Sequence, residues 1–223
     1  SDGSADVCAP EQGRPMASVP DDLVINRQDR CPVVLVLDVS SSMTEENRIG
    51  LLNEALDQFK EELVQDNLAA LRVEIAVVTF ASSAQCVQDF VSAHDFSPPV
   101  LQASGTTAMG EAMDLALEII ERRKHLYRST KVNYFRPWIW LMSDGLPNDA
   151  HWEDAARRSV DAEKAKKAKV FAVGIGTGAD LPVLGRFTSS SDPLRVEPGM
   201  FQRMFSWLSA SLQARAHSIP KQD

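Results

Sequence analysis

Residues 33–37 read Val33-Val34-Leu35-Val36-Leu37, an unbroken apolar run rich in β-branched residues. A strand with no polar position has no face to turn to water, so it belongs inside a sheet covered on both sides, the usual setting of parallel strands. Further segments have the same character: VEIAVVTF (Val73 to Phe80), PWIWLMSD (Pro137 to Asp144, with Pro137 suited to a first strand position) and KVFAVGIG (Lys169 to Gly176). AQCVQDF (Ala84 to Phe90) is shorter and half-polar, and the short gap after Phe80 predicts a hairpin with an antiparallel edge strand. Between these runs the apolar period changes to that of helices. Ile49, Leu52, Leu56, Phe59 and Leu63 mark one helix, and Met109, Met113, Ala116 and Ile120 mark a second within Ala108 to Tyr127. A third runs from Trp152 to Lys167 with Ala155, Ala156 and Val160 inward, and a last one carries Phe201, Met204, Phe205, Leu208 and Leu212. Alternating strands and helices predict a doubly wound α/β sandwich, which takes its ligands at the carboxyl ends of its strands.

The chain has 223 residues, enough for one α/β core, with 23 Lys and Arg against 31 Asp and Glu and a formal charge of −8. That balance disfavours nucleic acid or an anionic membrane as the main partner. No apolar stretch reaches the roughly 18 to 20 residues of a membrane helix, and no basic-then-apolar signal pattern opens the chain. Residues 1–30 are rich in Gly, Pro, Ser, Asp and Arg and read as a loosely ordered arm with at most a short strand at Leu23, Val24 and Ile25; residues 31–216 form the domain and 217–223 a tail. Cys8, Cys31 and Cys86 lack CxxC spacing, and Cys31 reads as a reduced core thiol, which favours a cytoplasmic setting. Asn148 and Asp149 read as caps of the helix starting near His151. Gly174-Ile175-Gly176-Thr177-Gly178 reads as a tight turn, since no Gly-Lys-Ser/Thr follows to make a phosphate loop. Arg122, Arg123, Lys124, Arg128, Lys131 and Arg136 form a basic patch. Cations at a helix C-terminus account for it, and an acidic partner's docking surface is the functional alternative. The same two readings apply to Lys164, Lys166, Lys167 and Lys169, while the four histidines have no ligand spacing.

Asp38 ends the first strand and Ser40, Ser41 and Ser42 follow; Asp144 ends the PWIWLMSD strand; the loop LQASGTTAMG (Leu101 to Gly110) crosses the same rim with Thr106 and Thr107. Carboxylates and hydroxyls without His or Cys make a hard-oxygen set, suited to Mg²⁺, Ca²⁺ or Mn²⁺ and poor for zinc.

These residues resemble the DxSxS, Thr and Asp elements of the metal-ion-dependent adhesion site of von Willebrand factor A domains, over about Cys31 to Ala216. RPWIWLMSDGLPND and GTTAMGEAM are also similar to the bacterial TerY-type subgroup, named for tellurite resistance. The resemblance implies a Rossmann-like three-layer sandwich whose six-stranded, mostly parallel sheet has one antiparallel edge. It implies a non-enzymatic module in which Ser40 and Ser42 hold a divalent cation (Mg²⁺, or Ca²⁺ or Mn²⁺) directly, Asp38 and Asp144 act largely through water, and a loop threonine joins them. The small-x-hydrophobic-Gly ending of the loop selects Thr107 over Thr106, and Thr106 stands where the family usually has a second glycine. Neutral hydroxyl ligands leave the cation's charge partly uncompensated, so it attracts an Asp or Glu carboxylate from another protein. By the same resemblance the setting is a bacterial cytoplasmic stress or signalling system, with kinase- or phosphatase-like partners, and the last helix is a candidate conformational switch.

Two alternatives stand beside this reading. A scaffold domain with a vestigial site would need no cation. A haloacid-dehalogenase-like phosphohydrolase would use Asp38 as nucleophile, Asp144 and Asp149 as the acidic pair and Lys169 as its lysine, but Ser40 stands where a general-acid carboxylate is required.

Overall fold

The computed structural model describes Leu23 and residues 26–220. Cys8 and most of the expected arm fall outside them. Leu23 is helical and buried rather than extended, because it packs on Tyr127 and Val132. Residues 26–30, read from sequence as arm, pack into the body: Asn26 Nδ2 donates to the Leu71 carbonyl at 2.8 Å and Arg30 is fully buried.

The elements in chain order are β1 (Cys31–Asp38), α1 (Arg48–Gln65), α2 (Asn67–Arg72), β2 (Val73–Phe80), β3 (Ala84–Ser92) and α3 (Met109–Thr130). Then follow β4 (Trp138–Ser143), α4 (Trp152–Lys164), β5 (Lys169–Ile175), α5 (Leu181–Leu184), β6 (Leu194–Val196) and α6 (Phe201–Ala216). They build a six-stranded sheet in the order β3-β2-β1-β4-β5-β6. All neighbours are parallel except β2 and β3, the hairpin at one edge.

Successive residues of β1 serve opposite layers, as pleating requires. Val33, Leu35 and Leu37 pack with Leu52, Leu56 and Phe59 of α1 and Phe205 and Leu208 of α6. Val34 and Val36 pack with Met113, Ala116 and Ile120 of α3 and Ala156 of α4. The chain leaves β1 toward β2 and β3, then returns across it to β4, so strand order reverses between β1 and β4. A crevice opens at the carboxyl ends of the strands at such a point.

Two local departures from the sequence reading have clear causes. α4 stops at Lys164, three residues early, because Lys166 takes a left-handed backbone (φ 56°) that turns the chain toward β5. Arg123 and Lys124 are not surface cations. Arg123 lies buried against Glu74 of β2, whose carboxylate also accepts from Arg30 Nε at 2.9 Å and from the Tyr127 hydroxyl, while Lys124 is buried beside Glu121 at 2.8 Å.

Candidate functional site

Asp38 and Asp144 reach the crevice from β1 and from the end of β4, and the 3-10 turn Ser41–Asn47 covers it. The Ser40 backbone amide donates to Asp38 Oδ1 at 2.8 Å, which turns the chain back after the strand. Ser40 Oγ and Ser42 Oγ lie 3.0 Å apart, and Ser42 Oγ donates to Asp144 Oδ1 at 2.6 Å. Four of the five sequence-predicted residues thus form one chain of contacts.

The loop from Leu101 is fastened over this chain by backbone bonds: Ser104 N to the Val39 carbonyl (2.8 Å), Ser41 N to the Gly105 carbonyl (3.0 Å) and Ala108 N to the Ala81 carbonyl (2.8 Å). Gly105 is needed there, because its φ is +77° and a Cβ would sit 2.4 Å from Ser82 Oγ. Thr107 is buried, and a Cβ on Gly145 would lie 3.5 Å from its Oγ1, so this hydroxyl stands beside the residue that follows Asp144. Thr106 is exposed and turns away to Ser82.

Two residues of the site, Ser143 and Arg48, go unread in the sequence, and a third, Asn148, reads there only as a helix cap. Ser143 Oγ donates to Asp38 Oδ2 at 2.5 Å; it looked like an ordinary strand position. Arg48, at the start of α1, places Nη1 2.7 Å from Asp144 Oδ2. It lies six residues past the last serine, with no motif of its own to mark it. Asn148 locks the threonine loop: its Oδ1 accepts from Thr107 N at 3.1 Å and its own amide donates to the Thr107 carbonyl at 3.0 Å. Asp149 caps α3, not α4, accepting from Gly110 N (3.2 Å) and Glu111 N (3.0 Å). Both expected caps therefore tie the loop after β4 to the threonine loop.

Burial pushes the Asp38 carboxyl up to about 6; hydrogen bonds from Ser143 and Ser40 oppose the rise and Asp144 adds to it. Such a carboxylate is short of positive charge. Among the described residues no cluster of three or more His, Cys, Asp and Glu is arranged for a metal, so a cation here would rest on hydroxyls with two carboxylates, a donor set that fits a hard divalent ion. Arg48 supplies Asp144 with a positive charge of another kind.

The phosphohydrolase arrangement is not assembled. Lys169 starts β5 and pairs in register with Trp138, at the end of the sheet away from Asp144, and its ammonium sits 5.0 Å from the Phe171 ring centre. Asp149 is committed to its helix cap.

A family model for the von Willebrand factor type A domain matches residues 33–205. The chain belongs to that family. No curated protein matches it. Among solved structures, the domain resembles proximal thread matrix protein 1 of the mussel byssus (TM-score 0.59, 20% identity, 84% of this chain and 47% of that one). It also resembles a von Willebrand factor type A protein of Catenulispora acidiphila (TM-score 0.63, 18% identity, 83% and 43%). A third is the vWF domain of the type V pili tip protein Mfa5 of Porphyromonas gingivalis (TM-score 0.62, 12% identity, 88% and 99%). The chain thus spans less than half the length of the first two. At these identities the likeness is one of fold. Von Willebrand factor A domains are commonly protein-interaction modules and typically not enzymes. Among the described residues no helix is long and apolar enough to cross a membrane.

Proposed function

We propose that this von Willebrand factor A domain recognises partner proteins through a divalent cation, Mg²⁺ or alternatively Ca²⁺ or Mn²⁺, held by Asp38, Ser40, Ser42, Thr107 and Asp144. The observation that carries the reading is the contact chain Ser40–Ser42–Asp144 above the buried Asp38, with hydroxyls and carboxylates from distant segments meeting at the switch point of the sheet. When bound, such an ion supplies a positive charge that neutral hydroxyls leave exposed to an Asp or Glu of a partner. The residues around it orient the donors: Ser143 holds Asp38, and Asn148 holds Thr107. The role is recognition, not catalysis.

The similarity to the TerY-type subgroup supports a bacterial adaptor in a stress or signalling system with kinase- or phosphatase-like partners. The free, buried Cys31, pushed up to about 11 by burial, supports a reducing, cytoplasmic setting. The pilus-tip and byssal-matrix neighbours keep a pilus or matrix setting as the comparison case. Cell fractionation of the source organism decides between these settings.

A second reading rests on Arg48. A guanidinium already faces Asp144, as in a scaffold domain that needs no ion. Calorimetric titration of Mg²⁺, Ca²⁺ and Mn²⁺ into chelator-treated protein separates the two. Saturable binding that disappears in the Ser40→Ala, Ser42→Ala double variant, with the fold retained, supports the cation site. Absence of binding in the unmodified chain, and equal partner capture with and without chelator, supports the scaffold.

A further inference from the structure

At the end of the sheet opposite Asp38 and Asp144, a groove of about 1080 Å³ is lined by Lys124, Arg128, Lys131, Arg136, Lys166 and Lys167. Asp29 is the one carboxylate among its described lining residues. This concentration of cations stands on a chain whose formal charge is −8. Helix dipoles account for a basic residue in a last helical turn, and Arg128 and Lys164 occupy such positions. Lys131 and Lys166 lie just beyond those turns, still close to the carbonyl ends of the helices. Each of these takes a left-handed backbone (φ 57° and 56°) just past its helix.

Around each lysine the chain makes the same pair of bonds. Val132 N reaches the Tyr127 carbonyl (2.9 Å) and Lys131 N that of Arg128 (3.3 Å); Lys167 N reaches the Ala162 carbonyl (2.8 Å) and Lys166 N that of Glu163 (3.0 Å). This is the helix-ending turn in which glycine is the default, because a Cβ is strained there. The chain keeps lysine in both, and both turns open into the same groove. Among the described residues no carboxylate pairs with Arg128, Lys131 or Lys167, whereas Lys124 is satisfied by Glu121 at 2.8 Å.

Apolar surface lies among the cations: Ile219 on the wall is 86% exposed, and the half-buried Tyr134 stacks, with ring centres 5.0 Å apart, on Tyr127, which is itself fully buried and packed with Leu23. We propose that this groove binds an acidic, partly apolar segment of a partner protein, independently of the cation site. Carboxylates of the segment meet the lysines and arginine at the rim while an apolar side chain rests against Ile219 and Tyr134. A long nucleic acid is a poorer match, since beyond the groove it would meet the field of a net-acidic protein.

The test is fluorescence anisotropy at about 0.15 M salt, where the Debye length is roughly 8 Å and diffuse attraction is weak. The probe is a fluorescein-labelled Glu-Glu-Leu-Glu-Glu-Leu peptide, with chelator present so that the cation site does not contribute. An Arg128→Gln, Lys131→Gln, Lys167→Gln variant is expected to lose about ten-fold or more in affinity, as contacts to charged groups do when one partner is removed. A control variant, Arg157→Gln, Arg186→Gln, Arg203→Gln, lowers the net charge equally outside the groove and is expected to bind as the unmodified chain does. No binding by the unmodified chain, or equal loss in both variants, overturns the proposal. So does tighter, groove-dependent binding of a labelled dT20 oligonucleotide, which would assign the groove to phosphate chains. Self-association in sedimentation that the groove variant abolishes would assign it to a second copy and overturn the proposal as well.

Discussion

Arg48 and Asp144 form an ion pair at 2.7 Å in which the carboxylate is fully buried and the guanidinium 13% exposed. A divalent cation seeking Asp144 therefore competes with a charge that the chain carries itself. Arg48→Gln is expected to lower the melting temperature of the cation-free protein, by loss of a partly buried pair worth on the order of 2 kcal/mol. It is also expected to raise Mg²⁺ or Mn²⁺ affinity about ten-fold, since a nearby positive charge costs an incoming cation more than 1 kcal/mol at these distances. Calorimetry and thermal shift on the same samples check both; unchanged affinity would mean that Arg48 turns aside without cost. Asp38, Ser40, Ser42 and Asp144 were legible in the sequence because strand ends mark the ligand rim of a doubly wound sheet. Arg48 and Ser143 were not, since only the folded chain shows which side chains reach across 96 and 105 positions.

Among the elements, the loop after β4 does more than join it to α4. Through Asp149 it caps α3 and through Asn148 it holds Thr107. Asp149→Ala is expected to cost about 1 kcal/mol in urea unfolding, the usual worth of a cap. It should also weaken cation binding several-fold in the calorimetric assay, because Thr107 lies two residues before the capped helix. In the sequence Asp149 reads as a cap of the following helix, because proximity in the chain is the only guide there. The helix α6 is fixed to α1 by Phe205 against Phe59, ring centres 5.5 Å apart, and by Ser206 donating to Glu62 at 2.6 Å. Leu208→Ala, at a fully buried position, is expected to cost about 2–5 kcal/mol in the same unfolding experiment. An accompanying change in partner affinity would show that α6 couples to the site, the switch behaviour implied by the family resemblance.

Over the whole molecule, acid stability depends on a carboxylate far from the site. Burial raises the Glu163 pKa, but hydrogen bonds from Ser190, Val170 and Ser189 outweigh it and bring the group from 4.5 to about 2. A depressed carboxylate stabilises the fold fully above its unfolded value and loses that contribution as pH falls from 4.5 through about 2. Glu163→Gln should be less stable at neutral pH and show a shallower loss over that window, read by unfolding at a series of pH values. The chain by itself determined the layered α/β architecture, since continuous apolar strands such as β1 admit no other burial and helical periodicity supplies the covers. It also determined the oxygen character of the crevice, because residue types at strand ends are written in order. The family resemblance implies six strands, but only tertiary structure decided where the sixth lies, Leu194–Val196, which has three residues and no apolar run to announce it. It alone decided that Glu74, inside a strand that reads as apolar, binds Arg30, Arg123 and Tyr127. The same holds for the two lysine turns that share one groove. Local pattern records what a residue can bury or bond; which distant partner satisfies it is settled only when non-local segments meet and each buried polar group must find one.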